Sequence, residues 1–222
     1  MPGLEPPEAQ FAMEAMLDTC GRCRQDQRAG RRGMARAVSR RRILVTEQSG
    51  RDLVVPVTPT DHVRGAQQAR VTVVEYGDFE CPMCRSAEPA VRMILDTHPG
   101  TVRLIFRHYP IESAHPHALM AAEAAEAAGK QGRFWEMHDL LLKQGAQLER
   151  RALDNYAAVL GLDMALFKMS LDDEIYRQLV REQMDGAARS HVRGTPGFFV
   201  NGHIQDASAG MHSLREAVLR LL

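Results

Sequence analysis

The four cysteines of this 222-residue chain form two pairs, each with two residues between its members. The pairs are Cys20-Gly21-Arg22-Cys23 and Cys81-Pro82-Met83-Cys84. A disulfide between residues so close in sequence closes too small a loop to stabilise a fold appreciably. The spacing therefore favours redox or metal chemistry over structural cross-linking.

The second pair follows a predicted strand and begins a predicted helix. Val71–Tyr76 is a β-branched run typical of a buried parallel strand, and helical periodicity continues from Cys81 to about Thr97. The first-turn amides and the dipole of a helix favour an anion at its N-terminus, so Cys81 is predicted to be the attacking thiolate. Cys84, one turn further along, is predicted to resolve the mixed disulfide. Pro82 suits the first helical position because that position needs no N–H.

The segments around the second pair predict an α/β domain. Leu53–Val57 predicts an edge strand, because Pro56 cannot donate a hydrogen bond to a central ladder. Val102–Phe106 predicts a second buried strand and completes a β-α-β unit. Phe198–Val200 predicts a further strand, and Asn201-Gly202 is a signal for a tight turn after it.

Helical patterns occupy the chain between the predicted strands Val102–Phe106 and Phe198–Val200. His117–Ala128 predicts the first of these helices, and three further helical patterns follow it. After the last strand, Leu214–Leu222 predicts a closing helix. Each helix of the middle tract is predicted to end at a glycine, a common residue at helix ends: Gly129, Gly145, Gly161 and Gly186.

The composition is that of an ordinary globular protein and excludes several classes. Apolar residues make up 45% and charged residues 25% of the chain, so it is neither wholly disordered nor fibrous. The 28 basic and 28 acidic residues cancel, so no overall field attracts nucleic acid or anionic lipid. No apolar stretch approaches the roughly 18 residues that a membrane-spanning helix needs.

The first 50 residues differ in character from the rest and are predicted to form a basic, flexible extension. Between Arg22 and Arg42 there are nine arginines and one acid, Asp26, which is too little apolar surface for a core. Aromatic residues do not interleave with these arginines, so nucleic-acid binding is not favoured. The start of the chain lacks the basic and apolar regions of a signal peptide, which predicts a cytoplasmic location. Residues 51–222 are predicted to form the folded domain.

Two segments carry a resemblance to a known family. Tyr76-Gly77-Asp78-Phe79-Glu80-Cys81-Pro82-Met83-Cys84 resembles the active-site segment of DsbA-like thioredoxin-fold thiol-disulfide oxidoreductases. Gly194-Thr195-Pro196-Gly197-Phe198-Phe199-Val200-Asn201-Gly202 resembles their second hallmark, a loop with a cis-proline. The resemblance covers about Asp61 to Leu222. It implies an α/β, thioredoxin-like fold with an inserted helical domain at about 112–190.

The resemblance also implies roles for individual residues. Pro196 would be the cis-proline beside Cys81, and the Thr195 backbone would pair with an extended substrate segment. Pro82 and Met83 would complete the substrate-binding surface. Glu75 matches the buried acid that relays protons in this family, and the alternative is a carboxylate at a strand end without a catalytic role.

Two acidic residues and Met83 are expected to affect the stability of the Cys81 thiolate. Asp78 and Glu80 are expected to face solvent beside the site, and they would raise the pKa of Cys81 if they approached it. Met83 stands where strongly oxidising members of the family carry histidine, so the thiolate should be less stabilised and the disulfide less oxidising. This favours a reductase, an isomerase or a glutathione-linked exchanger.

The predicted function is disulfide exchange on protein or low-molecular-weight thiol substrates through Cys81 and Cys84. The redox-active disulfide itself serves as the cofactor, with glutathione as a possible co-substrate, and no membrane partner is expected. One alternative is a glutathione-dependent transferase or isomerase of a kappa-like class, against which the resolving Cys84 argues. Another is a redox-sensing or zinc-binding regulator.

The first cysteine pair leaves three roles open. Cys20 and Cys23 could be an accessory redox couple, half of an interchain zinc site, or a pair without a role. Structural zinc sites take four ligands, and this pair supplies two. No histidine follows at finger-like spacing, so the sequence favours an accessory or incidental pair over zinc.

Overall fold

The computed structural model describes residues 53–206 and 210–222 of the chain. The extension 1–50, with Cys20 and Cys23, lies outside the described residues, and the roles predicted for it stay predictions. Five strands are present in the described part: β1 His62–Gly65, β2 Val71–Gly77, β3 Val102–His108, β4 Gly197–Val200 and β5 His203–Gln205. The same part contains the helices α1 Pro82–Thr97, α2 Ala118–Lys130, α3 Phe134–Lys143, α4 Arg150–Val159, α5 Met164–Asp172, α6 Arg177–Arg189 and α7 His212–Leu219.

The strands form one mixed sheet in the order β1-β3-β2-β4-β5. The central strands β2 and β3 run parallel and are joined by α1, as the β-branched runs predicted. The other three pairings are antiparallel. The predicted α/β class is confirmed, and helices α2 to α6 all lie between β3 and β4 in the chain.

The N-terminal edge of the sheet differs from the prediction. Leu53–Val57 is not a strand, and the edge position beside β3 belongs to β1, which the sequence analysis missed. The reason is the buried guanidinium of Arg107, which donates hydrogen bonds to the carbonyls of Val55 and Pro56 at 2.8 Å each. Arg107 also forms a two-bond ion pair with Asp61 at 2.8 and 2.9 Å. Side-chain hydrogen bonds thus replace the expected ladder.

The turn after β4 is as predicted. Asn201 and Gly202 both have positive φ, at 47° and 88°, which is the conformation of a tight hairpin turn. Asn201 also fixes the hairpin to the central sheet, because its side-chain oxygen accepts a hydrogen bond from the Thr72 amide at 2.7 Å.

Two helix ends and one helix differ from the prediction. Gly129 lies inside α2 and Gly186 lies inside α6. A β-carbon at Gly186 would stand 3.1 Å from the Val55 side chain and 3.4 Å from the Tyr76 hydroxyl, so close packing explains this glycine. Helix α5 was missed, although Asp163 caps it by accepting hydrogen bonds from two first-turn amides.

Packing places the cysteines where the helical tract meets the sheet. Helices α1 and α7 pack on one face of the sheet against residues such as Leu104 and Phe198. Ala187 of α6 contributes to a second cluster, with Tyr76 and Phe199. The third and largest cluster joins α2 to α5 with Phe106 and with both cysteines of the second pair. In the described part of the chain no helix is both long and apolar enough to cross a membrane.

Candidate active site

Cys81 and Cys84 lie in the first turn of α1, as predicted. Cys81 is the N-cap residue with an extended backbone, Pro82 takes the first helical position, and both cysteines are free thiols. The two cysteines differ little in exposure, since Cys81 is 6% exposed and Cys84 is 1% exposed. Chemistry separates the two sulfurs more than accessibility does.

The Cys81 thiol is strongly acidic. A hydrogen bond from the Cys84 thiol is the main cause, and it lowers the pKa of Cys81 from 9.0 to about 5 despite the opposing effect of burial. A contact with Thr195 and the backbone amides of Cys84 and Met83 add to the same effect. At neutral pH, Cys81 is therefore a thiolate at the start of a helix.

Cys84 has the opposite character. Because it donates its hydrogen bond to Cys81 and is buried, the pKa of Cys84 is raised far above that of an ordinary thiol. The charge of Glu75 acts in the same direction, and a hydrogen bond from the Asp78 amide, at 3.4 Å, partly opposes it. One thiolate and one retained proton are the arrangement that a nucleophile and a resolving thiol need.

The loop predicted to carry the cis-proline lies directly against Cys81. The Cys81 sulfur is 3.4 Å from the carbonyl oxygen of Thr195, and the peptide bond between Thr195 and Pro196 is cis. The Thr195 hydroxyl is buried, and Cys81 is the group on which it acts, since its side chain helps to lower the pKa of that thiol. The next residue is Gly197, and a β-carbon at this position would lie only 2.7 Å from the Val192 side chain, so close packing explains the glycine.

Glu75 is buried in β2, and its charge acts on Cys84. Burial, together with the charge of Glu88, raises the pKa of Glu75 from 4.5 to about 8. Such a carboxyl group can take up and release a proton near neutral pH.

An ion-pair network that the sequence analysis missed acts on Glu75. Glu88 accepts a hydrogen bond from Arg92 at 2.6 Å and lies 3.7 Å from Arg64. Both arginines also reach Asp139 of α3, at 3.0 and 2.7 Å. The spacing of Glu88 and Arg92 is a recognisable helical pair, but the two remaining members come from other elements.

The expectation that Asp78 and Glu80 face solvent is wrong for Asp78. Its carboxylate is buried and accepts hydrogen bonds from the amides of Glu80 and Ile111, at 2.8 and 2.9 Å, and from His115 at 2.7 Å. Glu80 is partly buried and pairs with His117, whose ring nitrogen lies 3.1 Å away. Both histidines come from the loop between β3 and α2, which no local pattern connects to the cysteines.

Comparison with known proteins identifies the class. A family model described as Thioredoxin matches residues 57–219, which is most of the chain. Similar solved structures include a thioredoxin-like oxidoreductase from Silicibacter pomeroyi, with 29% identity, a TM-score of 0.64, and coverage of 73% of this chain and 92% of that one. BdbD from Bacillus subtilis, in its oxidised form, gives a TM-score of 0.64 at 24% identity, over 72% of this chain and 91% of that one.

A DsbA protein is among these structural neighbours. Pseudomonas aeruginosa DsbA2 gives a TM-score of 0.58 at 24% identity, over 75% of this chain and 97% of that one. The chain belongs to the thioredoxin family that the matching family model describes, and its fold is that of DsbA-like proteins, as the two motif segments predicted.

Sequence relatives are longer proteins. Na(+)/H(+) antiporter NhaA 1 of Salinispora arenicola is 52% identical over 168 residues, which are 75% of this chain and 26% of the relative. Na(+)/H(+) antiporter NhaA 3 of Salinispora tropica is 50% identical over 169 residues, 76% of this chain and 26% of the relative. The chain thus spans about a quarter of the length of these relatives.

Proposed function

We propose that the chain exchanges disulfides on protein or low-molecular-weight thiol substrates through the Cys81–Cys84 couple. One observation carries the proposal: two free thiols one helical turn apart differ sharply in acidity, with the acidic one beside the Thr195 carbonyl. The site lies inside the region that the thioredoxin family model matches, so the proposal does not depend on the names of the longer relatives.

In the first step, the Cys81 thiolate attacks a substrate disulfide. A bond forms between the Cys81 sulfur and one substrate sulfur while the substrate S–S bond breaks, and the other substrate sulfur leaves as a thiolate that is protonated by solvent. Cys81 can then no longer accept a hydrogen bond as an anion. This removes the main cause of the raised pKa of Cys84.

In the second step, the ionised fraction of Glu75 accepts the Cys84 proton, and the Cys84 thiolate attacks the Cys81 sulfur. The mixed disulfide breaks, a Cys81–Cys84 disulfide forms, and the second substrate sulfur leaves as a thiolate. The substrate has gained two electrons and the protein dithiol has lost two. Reversal of both steps oxidises a substrate dithiol.

The substrate-contacting surface would consist of backbone and apolar groups. Met83 is 58% exposed beside the couple, and Pro82 is also exposed. An extended peptide could pair with the backbone at Thr195, next to Pro196, as an added strand would. Such backbone and apolar contacts would accept many substrate sequences.

We further propose an intermediate reduction potential. The pKa of about 5 for Cys81 lies between the values of roughly 7 for thioredoxin and 3.5 for the oxidant DsbA. A thiolate of this stability places the couple between about −270 and −120 mV, which suits isomerisation or exchange with glutathione. Cys20 and Cys23 remain candidates for an accessory couple that passes electrons to this site.

Reduction of insulin by the full chain in the presence of dithiothreitol tests the proposal. The chain should accelerate precipitation of the insulin B chain well above the rate with dithiothreitol alone. A Cys20→Ser, Cys23→Ser double variant should keep this rate, because the Cys81 site is unaltered and the added dithiol recycles it. No acceleration by the unaltered chain would contradict the proposal. Conjugation of glutathione to an aryl halide without insulin reduction would favour the kappa-like transferase.

A further inference from the structure

Asp78 connects a histidine of the β3–α2 loop to both active-site sulfurs. Its carboxylate accepts a 2.7 Å hydrogen bond from Nδ1 of His115. Its carbonyl oxygen accepts the Cys81 amide hydrogen bond at 3.2 Å, and its own amide donates to the Cys84 sulfur at 3.4 Å. His115 is therefore attached through a single residue to the backbone that carries the couple.

The Asp78 carboxylate also fixes the loop that bears the histidine. It accepts the Ile111 amide hydrogen bond at 2.9 Å and is itself fully buried, with a side-chain exposure of 0%. The His115 side chain is 17% exposed, so protons can reach it from solvent. The imidazole is held in place and can still change its charge.

The negative charges near Cys81 would be compensated by a protonated His115. Asp78 and Glu80 carry negative charge within three residues of Cys81, and uncompensated acids at that position would oppose formation of a thiolate. Neither residue between the cysteines, Pro82 or Met83, carries a compensating charge. The compensating groups come from the β3–α2 loop.

Nearby acidic groups either act on His115 or are paired elsewhere. Burial opposes protonation of His115, but the hydrogen bond that it donates to Asp78 and the charges of Asp78, Cys81 and Glu80 outweigh burial and raise the pKa of His115. On the same loop, His117 pairs with Glu80. Glu112, also on this loop, pairs with Arg181 of α6.

We propose that protonated His115, held by Asp78, is a positioning residue that stabilises the Cys81 thiolate and thereby increases the oxidising power of the couple. The inference rests on the proposed function, because it assigns a cation to the nucleophile of that exchange reaction. It predicts reciprocal coupling: the thiolate must favour protonation of His115 by as much as His115 favours the thiolate.

Proton NMR titration of the histidines tests this coupling in the unaltered chain. The pKa of His115 should be about one unit higher in the reduced protein than in the disulfide form, since only the former holds a thiolate nearby. A Cys81→Ser variant, which has neither a thiolate nor a disulfide, should match the disulfide form. His212 on α7, whose side chain is 82% exposed, serves as the control and should not respond to the redox state.

A His115→Asn variant separates charge from position. Asparagine places an N–H near the position of Nδ1 and can keep the hydrogen bond to Asp78, but it cannot become a cation. The pKa of Cys81, followed by thiolate absorbance at 240 nm in a protein with Cys20 and Cys23 replaced by serine, should rise by about one unit, a tenfold change in the acid constant. His212→Gln should leave the pKa of Cys81 unchanged.

The outcomes distinguish this inference from the proposed function. A His115 pKa that is the same in all three forms would overturn the inference, even if insulin reduction proceeds normally. An unchanged Cys81 pKa in His115→Asn would overturn it as well. Failure of the unaltered chain to reduce insulin would instead contradict the proposed function. The NMR comparison does not depend on whether the asparagine variant folds.

Discussion

Cys81→Ser is expected to abolish insulin reduction, leaving only the rate of dithiothreitol alone. The hydroxyl of serine stays protonated at neutral pH, so no nucleophile remains at the helix N-terminus. Cys84→Ser should also lose turnover but retain the first step, because the serine hydroxyl can still donate a hydrogen bond to the Cys81 thiolate. The two variants should therefore differ in the covalent species that they accumulate.

Mass spectrometry after incubation with glutathione disulfide checks this difference. In a background without Cys20 and Cys23, Cys84→Ser should carry one glutathione per chain, whereas Cys81→Ser should carry almost none. The opposite distribution would show that Cys84 attacks first and would reverse the assigned roles. Circular dichroism of both variants controls for folding.

Glu75→Gln is expected to stabilise the protein and to slow its catalysis. Because the folded state holds the pKa of Glu75 at about 8, well above the ordinary value of 4.5, folding binds a proton between these two pH values. The stability penalty is absent below about pH 4.5, grows as the pH rises, and is complete above about pH 8. Glutamine removes it, so the free energy of unfolding at pH 8 should rise by about 4 kcal/mol.

Urea unfolding of the reduced protein at pH 4.5 and pH 8 measures this effect. The gain should appear at pH 8 and nearly vanish at pH 4.5. Glu136→Gln, at an exposed position of α3, provides the matched control and should change stability by less than about 0.5 kcal/mol at either pH. Equal stability of Glu75→Gln and the unaltered chain at pH 8 would contradict the buried, proton-binding carboxyl group.

Glu75→Gln should also slow release of the substrate from its mixed disulfide with Cys81. Without the Glu75 carboxylate, Cys84 has no adjacent base to accept its proton, and loss of such a base costs about 10²- to 10⁴-fold in rate. The measured quantity is decay of the Cys81–glutathione adduct, which should become slower in Glu75→Gln and remain unaffected in Glu136→Gln. An unchanged decay rate would assign Glu75 to the strand end without a catalytic role.

Features fixed by neighbouring residues were predictable from the sequence. The central strands, the helix that begins at Cys81 and the turn at Asn201 and Gly202 all follow from local patterns, and the structure has them. The cysteines were also predictable, since a redox pair at a helix N-terminus is a local arrangement. Family membership followed from the two motif segments around these elements.

Features fixed by distant partners were not predictable. The segment Leu53–Val57 has a strand-like pattern, but the carbonyls of Val55 and Pro56 bind the side chain of Arg107 in another part of the chain. Asp78 was expected to face solvent, yet its carboxylate is buried and its partner His115 lies 37 residues away in the sequence. Neither pairing leaves a signal within a short window of sequence.

The low pKa of Cys81 depends on neighbouring residues and on distant ones. The helix start and the second cysteine are visible in the sequence, and they predict a thiolate. The contribution of the Thr195 side chain depends on a loop more than a hundred residues away, and the compensation of Asp78 depends on the β3–α2 loop. Sequence therefore gives the direction of the pKa shift, and the structure gives the groups that produce it.

The pH dependence of alkylation tests the central claim most directly. The reduced chain is treated with iodoacetamide between pH 4 and pH 10, and the labelled peptides are quantified separately for Cys81 and Cys84. The account predicts that Cys81 reacts with an apparent pKa near 5, while Cys84 stays almost unlabelled across the neutral range. Labelling of Cys84 ahead of Cys81, or a Cys81 reactivity that rises only near the ordinary thiol value of 9.0, would contradict it.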